Sequence, residues 1–305
     1  MSSLEAQLDE NSRSELKRLT SPPQVAWPTV IMLAVSLTVI LASYAAGFLR
    51  LVPLWAAGLV NMLVMYNLFS VIHDGIHRSI SRNQKVNDWC ARLAGQGMSP
   101  GTVLGLFRWG HIQHHRFTTG DGDPDNWLHG GRVWTLPLRW SVIDLYYLTH
   151  AIRTRDRIAA KHLPAAFVGT AFIFVAAGVL AALGFWREVL MLWLLPTRLN
   201  SVLLGFTFFW LPHVPHKYTA AEDPYRATTL RLGLEWLMTP LLQFQNYHLI
   251  HHLYPRTPFY RYGQVWRLLE PYLRRHTLAI QHGWHILPVE EGPEEMRGAR
   301  REALE

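Results

Sequence analysis

Eight of the sixteen histidines fall into three tight groups: "HDGIH" with His73 and His77, "HIQHH" with His111, His114 and His115, and "HLIHH" with His248, His251 and His252. Spacings of three and four place imidazoles on one face of a helix with Cβ atoms roughly 5–6 Å apart, near enough to share a metal ion. Each group therefore reads as one wall of a metal cage. A catalytic zinc typically takes about three protein ligands, so this many histidines point to two ions. "WLPHVPH" (210–216) adds His213 and His216, one or both of which could complete the set. Asp74 lies inside the first group, and Asp123 and Asp125 follow the second within "DGDPD". A carboxylate so placed can orient a ligating imidazole through its second nitrogen, whereas Asp121 reads as a turn former. Imidazole suits iron, copper, nickel or zinc, so spacing alone leaves the metal open.

These groups need rigid supports. Four apolar blocks, residues 27–49, 51–72, 163–185 and 188–211, each reach the roughly 20 residues that cross a bilayer core as helix. The first three hold no charge; the fourth contains Arg198 and Asn200, and an ionisable group at such depth is expected to face protein. The fold expected is all-α and integral to a membrane, with about four transmembrane helices and a cytoplasmic helical cap carrying the histidines. Residues 93–107 are apolar but too short to cross, and read as a re-entrant or interfacial hairpin returning to the same face. Residues 73–162 hold twelve Lys and Arg, against only Arg50 and Arg187 in the two short links. The excess of cations places the long loop, the N-terminus and the C-terminal third in the cytoplasm. Residues 1–25 are a polar segment without a secretory leader, expected as a solvated or surface-lying helix. Residues 26–285 are expected as one domain and 286–305 as a charged tail. Cys90 is the only cysteine, so no intrachain disulfide can form. The net charge of +7 needs no nucleic acid to explain it, and no nucleic-acid motif is present.

The sequence has no HExxH, no glycine-rich phosphate loop and no GxSxG elbow. "HDGIH", "HIQHHRFTTGDGDPD" and "NYHLIHHLYP" instead resemble the three histidine boxes of the membrane fatty acid desaturase superfamily, which includes acyl desaturases, lipid hydroxylases, and carotenoid hydroxylases and ketolases. "LIHHLYPRTPFYRY" (249–262) is most similar to the bacterial branch in which fatty acid desaturases and carotene hydroxylases intermingle. The HxxxH of the first box departs from the HxxxxH of acyl-CoA desaturases, which argues against a soluble thioester substrate. The resemblance implies two non-haem irons held by His73, His77, His111, His114, His115, His248, His251 and His252, with His213 or His216 as a further ligand, and O2 as co-substrate. No catalytic residue outside the metal centre is implied. The reaction implied is desaturation or hydroxylation of a membrane lipid, a fatty acyl chain foremost, with a carotenoid as the alternative. The chain shows no dinucleotide fingerprint and no cysteine set for an iron–sulfur cluster, so a ferredoxin, cytochrome or rubredoxin-like donor with its reductase is an expected partner. A metal transporter, the reading from another class, would want ligands within the spans, and these are nearly free of them.

Overall fold

The computed structural model describes residues 4–293; residues 1–3 and most of the expected charged tail, 294–305, lie outside the described residues. α1 (Glu10–Thr20) starts at Asp9, whose carboxylate accepts from the Ser12 amide at 2.9 Å. Leu16 and Leu19 on its inner side are buried together with Leu4 and Leu8, against Val265, Trp266 and Leu269 of the helix Tyr262–Leu273. The polar N-terminal segment is therefore docked by leucines at helical spacing, where the sequence reading had it solvated or lying on a surface.

α2 (Trp27–Phe48) and α3 (Leu54–Ile76) are two of three helical runs long and apolar enough to cross a membrane. The histidine-bearing end of α3 is buried from Leu68 onwards. α4 (Gln84–Met98) and α5 (Leu104–Phe117) turn about residues 99–103, so the expected short hairpin at 93–107 is the junction of two full helices. The third apolar run, Leu163–His213, is continuous over 51 residues. A straight helix of that length would extend about 75 Å, more than twice the roughly 30 Å of a bilayer core. It is not straight, because Gly184 sits at φ +96°. Thr170 and Ile173 before this break line the same cavity as Thr197 and Ser201 after it, so the two halves lie side by side. Arg50 pairs with the buried Glu188 at 2.9 Å and Phe48 meets Phe185, fastening the break to the α2–α3 link. The expected blocks 163–185 and 188–211 are these two halves. Phe167, Val168, Phe172 and Val175 are more than half exposed, an outward apolar surface of the kind lipid covers.

Arg198 is engaged by protein: its guanidinium forks onto Asp144 at 2.9 and 2.7 Å and donates to the Ser141 carbonyl at 2.8 Å. The fold is mostly helical, as expected, but not purely so, for it carries a three-stranded sheet. β1 (Thr229–Leu232) pairs in parallel with β2 (Leu278–His282), which pairs antiparallel with β3 (Val289–Glu291). The sequence reading missed this sheet because its strands are three to five residues long and β1 meets β2 across a 45-residue gap that includes the third histidine group. The sheet holds the two ends of that segment together, and so closes the loop that carries His248, His251 and His252.

Only glycine adopts the conformation at 184 without strain. Gly184→Ala is expected to destabilise the protein by about 1–3 kcal/mol, whereas Gly178→Ala, where nothing lies within 4 Å of an added Cβ, should be neutral or slightly stabilising. Thermal unfolding in detergent checks this; equal effects at the two positions would contradict the break.

Candidate metal centre

α5 explains how one short motif serves two places. Side chains four apart on a helix nearly eclipse, while neighbours differ by about 100°. His111 and His115 therefore point one way and His114 another. The helix His248–Leu253 repeats the pattern: His248 and His252 share a direction and His251 departs from it. The result is two sets rather than three walls. His73, His77, His111, His115 and His251 form one, and His114, His213, His248 and His252 the other, with the donor atoms of each set within 4.8 Å of one another. Each HxxHH box thus feeds both sets, whereas the box on α3 feeds only the first.

The pairwise geometry fits metal ligation. Facing Nε2 atoms lie 2.8 Å apart for His77 and His111, 2.9 Å for His115 and His251, 3.0 Å for His213 and His248, and 3.1 Å for His248 and His252. Two nitrogens about 2.1 Å from one ion and at right angles are roughly 3.0 Å apart. Three of the outward nitrogens are held as a ligand's second nitrogen usually is, whereas Nδ1 of His111 and of His213 has no protein partner among the described residues. Gln245 Oε1 accepts from His248 Nδ1 at 2.6 Å, Tyr262 O–H meets His251 Nδ1 at 2.8 Å, and Asp123 accepts from His114 Nδ1 at 3.0 Å. With Nδ1–H committed outward, the Nε2 lone pair of His248 faces inward, towards His213 and His252. Burial, reinforced by neighbouring histidines, pushes His111, His115, His248, His251 and His252 well below the usual imidazole pKa and keeps them neutral, as ligation requires.

His114 differs. Burial alone would lower it too, but Asp123 and Asp125 beside it prevail and raise it to about 9. Asp123 takes amide hydrogens from Thr119 and Asp125 at 2.8 Å each, which together with His114 keep it ionised despite burial. Asp125, pushed up to about 7 chiefly by burial, accepts from the Tyr147 hydroxyl and lies 3.3 Å from His114 Nδ1. Tyr147 reaches Asp125 only because residue 110 is glycine; a Cβ there would sit 2.0 Å from the phenol ring.

Two expectations need correction. Asp74 touches no imidazole: its carboxylate accepts from Thr29 Oγ1 at 2.9 Å and from the Phe259 amide at 3.2 Å, tying α2 and α3 to the segment after the third histidine group. His216 joins neither set. It stacks on His129 at 4.1 Å, while His213 lies in the second set. His129 is partly buried and bonds the Phe209 carbonyl at 2.8 Å. Gln245, Tyr262 and Tyr147 escaped the sequence reading; only Gln245, three residues before His248, had a local spacing that could have shown it.

A cavity of about 360 Å³ adjoins the first set, bounded by the 99–103 turn, the helix Ile143–Thr154 and the two halves of the long apolar run. Phe69, Phe107, Tyr147 and Phe209 line it, and Phe69 and Phe107 also contact His73 and His111 at 6.3 and 6.2 Å between ring centres. A single aromatic layer separates cavity from imidazoles.

The family model described as "Fatty acid desaturase" matches residues 49–284. Among curated proteins, a β-carotene ketolase of Paracoccus sp. (strain PC1) is 28% identical over 223 residues, covering 71% of this chain and 80% of that protein. A second β-carotene ketolase, of Paracoccus sp. (strain N81106 / MBIC 01143), is 27% identical over 208 residues, covering 64% of this chain and 71% of that protein.

Each of the two sets offers donors enough for one ion. Metal analysis of purified protein should show His213→Ala losing about half its metal while His216→Ala keeps all of it; equal losses would contradict the partition. Asp123→Asn is expected to weaken binding about 10–100-fold in chelator competition, and an unchanged affinity would remove the carboxylate from this role.

Proposed function

The chain belongs to the fatty acid desaturase family, and on that premise we propose that it is an O2-dependent oxidase with two non-haem irons that attacks an unactivated C–H bond of an apolar membrane lipid. That it is an oxidoreductase follows from the family and from both relatives. Cyclic carotenoids are the first substrate class in this reading, because both relatives act on β-carotene by name. A fatty acyl chain is the second, which the family description supports. The observation that carries the reading is the apolar cavity set one aromatic layer from the first histidine set.

His73, His77, His111, His115 and His251 would hold one iron, and His114, His213, His248 and His252 the other. When bound, the pair supplies the redox chemistry by which O2 oxidises a methylene. The protein's part is position and exclusion of water. Phe69, Phe107 and Phe209 present a dry wall to the substrate, and lateral fit within the cavity selects which C–H bond lies nearest the centre. Tyr147 lines the cavity while its O–H donates to Asp125 beside His114, so a proton is held at the phenol oxygen on the boundary between substrate and centre. In this reading the chain crosses the membrane four times, with its histidines at the cytoplasmic face of a bacterial inner membrane. The support is the cation excess of residues 73–162.

Mass spectrometry of pigments and lipids from a carotene-accumulating host, with and without the gene, tests the assignment. Carotenoids carrying new ring oxygen are expected, and none with His115→Ala; new acyl double bonds alone would select the second reading, and no product of either kind would end both. Leu204→Trp, which fills the cavity from its wall, should lower turnover about 10²-fold with metal content intact. Undiminished turnover would place the substrate elsewhere.

A further inference from the structure

Outside the metal centre, a pocket of about 380 Å³ gathers Lys17 and Arg18 of α1 with Arg82 and Arg261. Among the described residues no acidic one lines it; Glu15 beside it pairs with Arg18 at 2.6 Å and also interacts with the charge of Arg261. Lys17 and Arg82 are exposed. Arg261 is held by backbone: its Nη1 donates to the carbonyls of Arg18, Leu19 and Ser21 at 3.2–3.3 Å, which pins the end of α1 in place. Arg82 likewise donates to the Pro22 carbonyl at 3.3 Å. The docking of α1 through its buried leucines thus serves to bring two further cations over Arg261.

The residue after Arg261 leads inward. Tyr262 is fully buried, and its hydroxyl bonds His251 Nδ1 at 2.8 Å, while His251 Nε2 faces His115 Nε2 at 2.9 Å. One peptide unit and one phenol therefore separate a cationic surface from a histidine of the first set. We infer that this pocket docks a small acidic redox protein, and that Tyr262 positions His251 at the inner end of a short covalent and hydrogen-bonded route from that surface to the centre. The inference rests on the oxidase reading, in which two electrons per turnover come from outside the chain and two from the oxidised C–H bond, together reducing O2 to the level of water. A cationic patch raises the encounter rate with an acidic partner and makes it salt-dependent. A lipid headgroup would also meet these cations, but it would have no use for the link to His251.

The test uses the full chain in lipid nanodiscs, with an acidic [2Fe–2S] ferredoxin and its reductase as donor and dithionite as a small alternative reductant. Lys17→Glu with Arg82→Glu should raise the KM for ferredoxin about tenfold or more and abolish its dependence on salt, and should weaken direct ferredoxin binding measured by interferometry. Dithionite-driven turnover should stay at the wild-type rate. An unchanged ferredoxin KM and binding, with dithionite turnover intact, overturns the docking site. An effect seen in phosphatidylglycerol discs and absent from phosphatidylcholine discs overturns it as well, because the pocket would then be reading headgroups. If the wild type turns over with neither reductant, the oxidase reading itself fails and the docking inference falls with it.

Discussion

Nine imidazoles with their nitrogens turned towards one another, seven of them buried and His115 and His252 partly so, are the constraint that the other features serve. Facing lone pairs at about 3 Å repel unless a cation or a shared proton lies between them, and burial removes the water that would otherwise screen them. Such an arrangement persists only if the surroundings hold each ring in place. Here the outward nitrogens of His248, His251 and His114 are bonded to Gln245, Tyr262 and Asp123, and packing of the helices holds the other rings. The polar groups around the centre orient ligands; they are also what lets a neutral, ligand-ready histidine exist at that depth.

The supports come from distant parts of the chain, which is why the fold is needed at all. α3 and α5 bring the first two boxes together. The third arrives on a loop closed by a small sheet, tethered to α3 by Asp74 through the Phe259 amide. Asp74 thus acts on the site through register rather than contact. The break at Gly184 folds the long apolar run back on itself, and the space left between its halves becomes the cavity beside the first histidine set. Shape, apolar lining and redox-capable donors are consequences of the same packing.

Much of this was legible in the sequence, and the limits are physical. Histidine spacing, apolar block length and cation asymmetry are local properties, and they gave the three boxes, the long helices and the family resemblance. The partition into two sets was not read, although it follows from helical phase, because neighbouring histidines look alike until the 100° between them is applied. His213 and His216 could not be separated, since both sit on an irregular turn where no period governs direction. Asp74 looked like a partner of the histidines beside it in sequence, yet a helix sends neighbours to different faces, and its carboxylate meets Thr29 instead. The sheet and the contacts of Tyr147 and Tyr262 are long-range pairings with no local signature.

The central claim is that the two histidine sets each hold one iron. Crystals of protein produced under iron-replete conditions, measured across the iron absorption edge, address it directly. The account requires two anomalous peaks, one among His73, His77, His111, His115 and His251 and one among His114, His213, His248 and His252. A single peak, or none, or a signal only at the zinc edge, would contradict it.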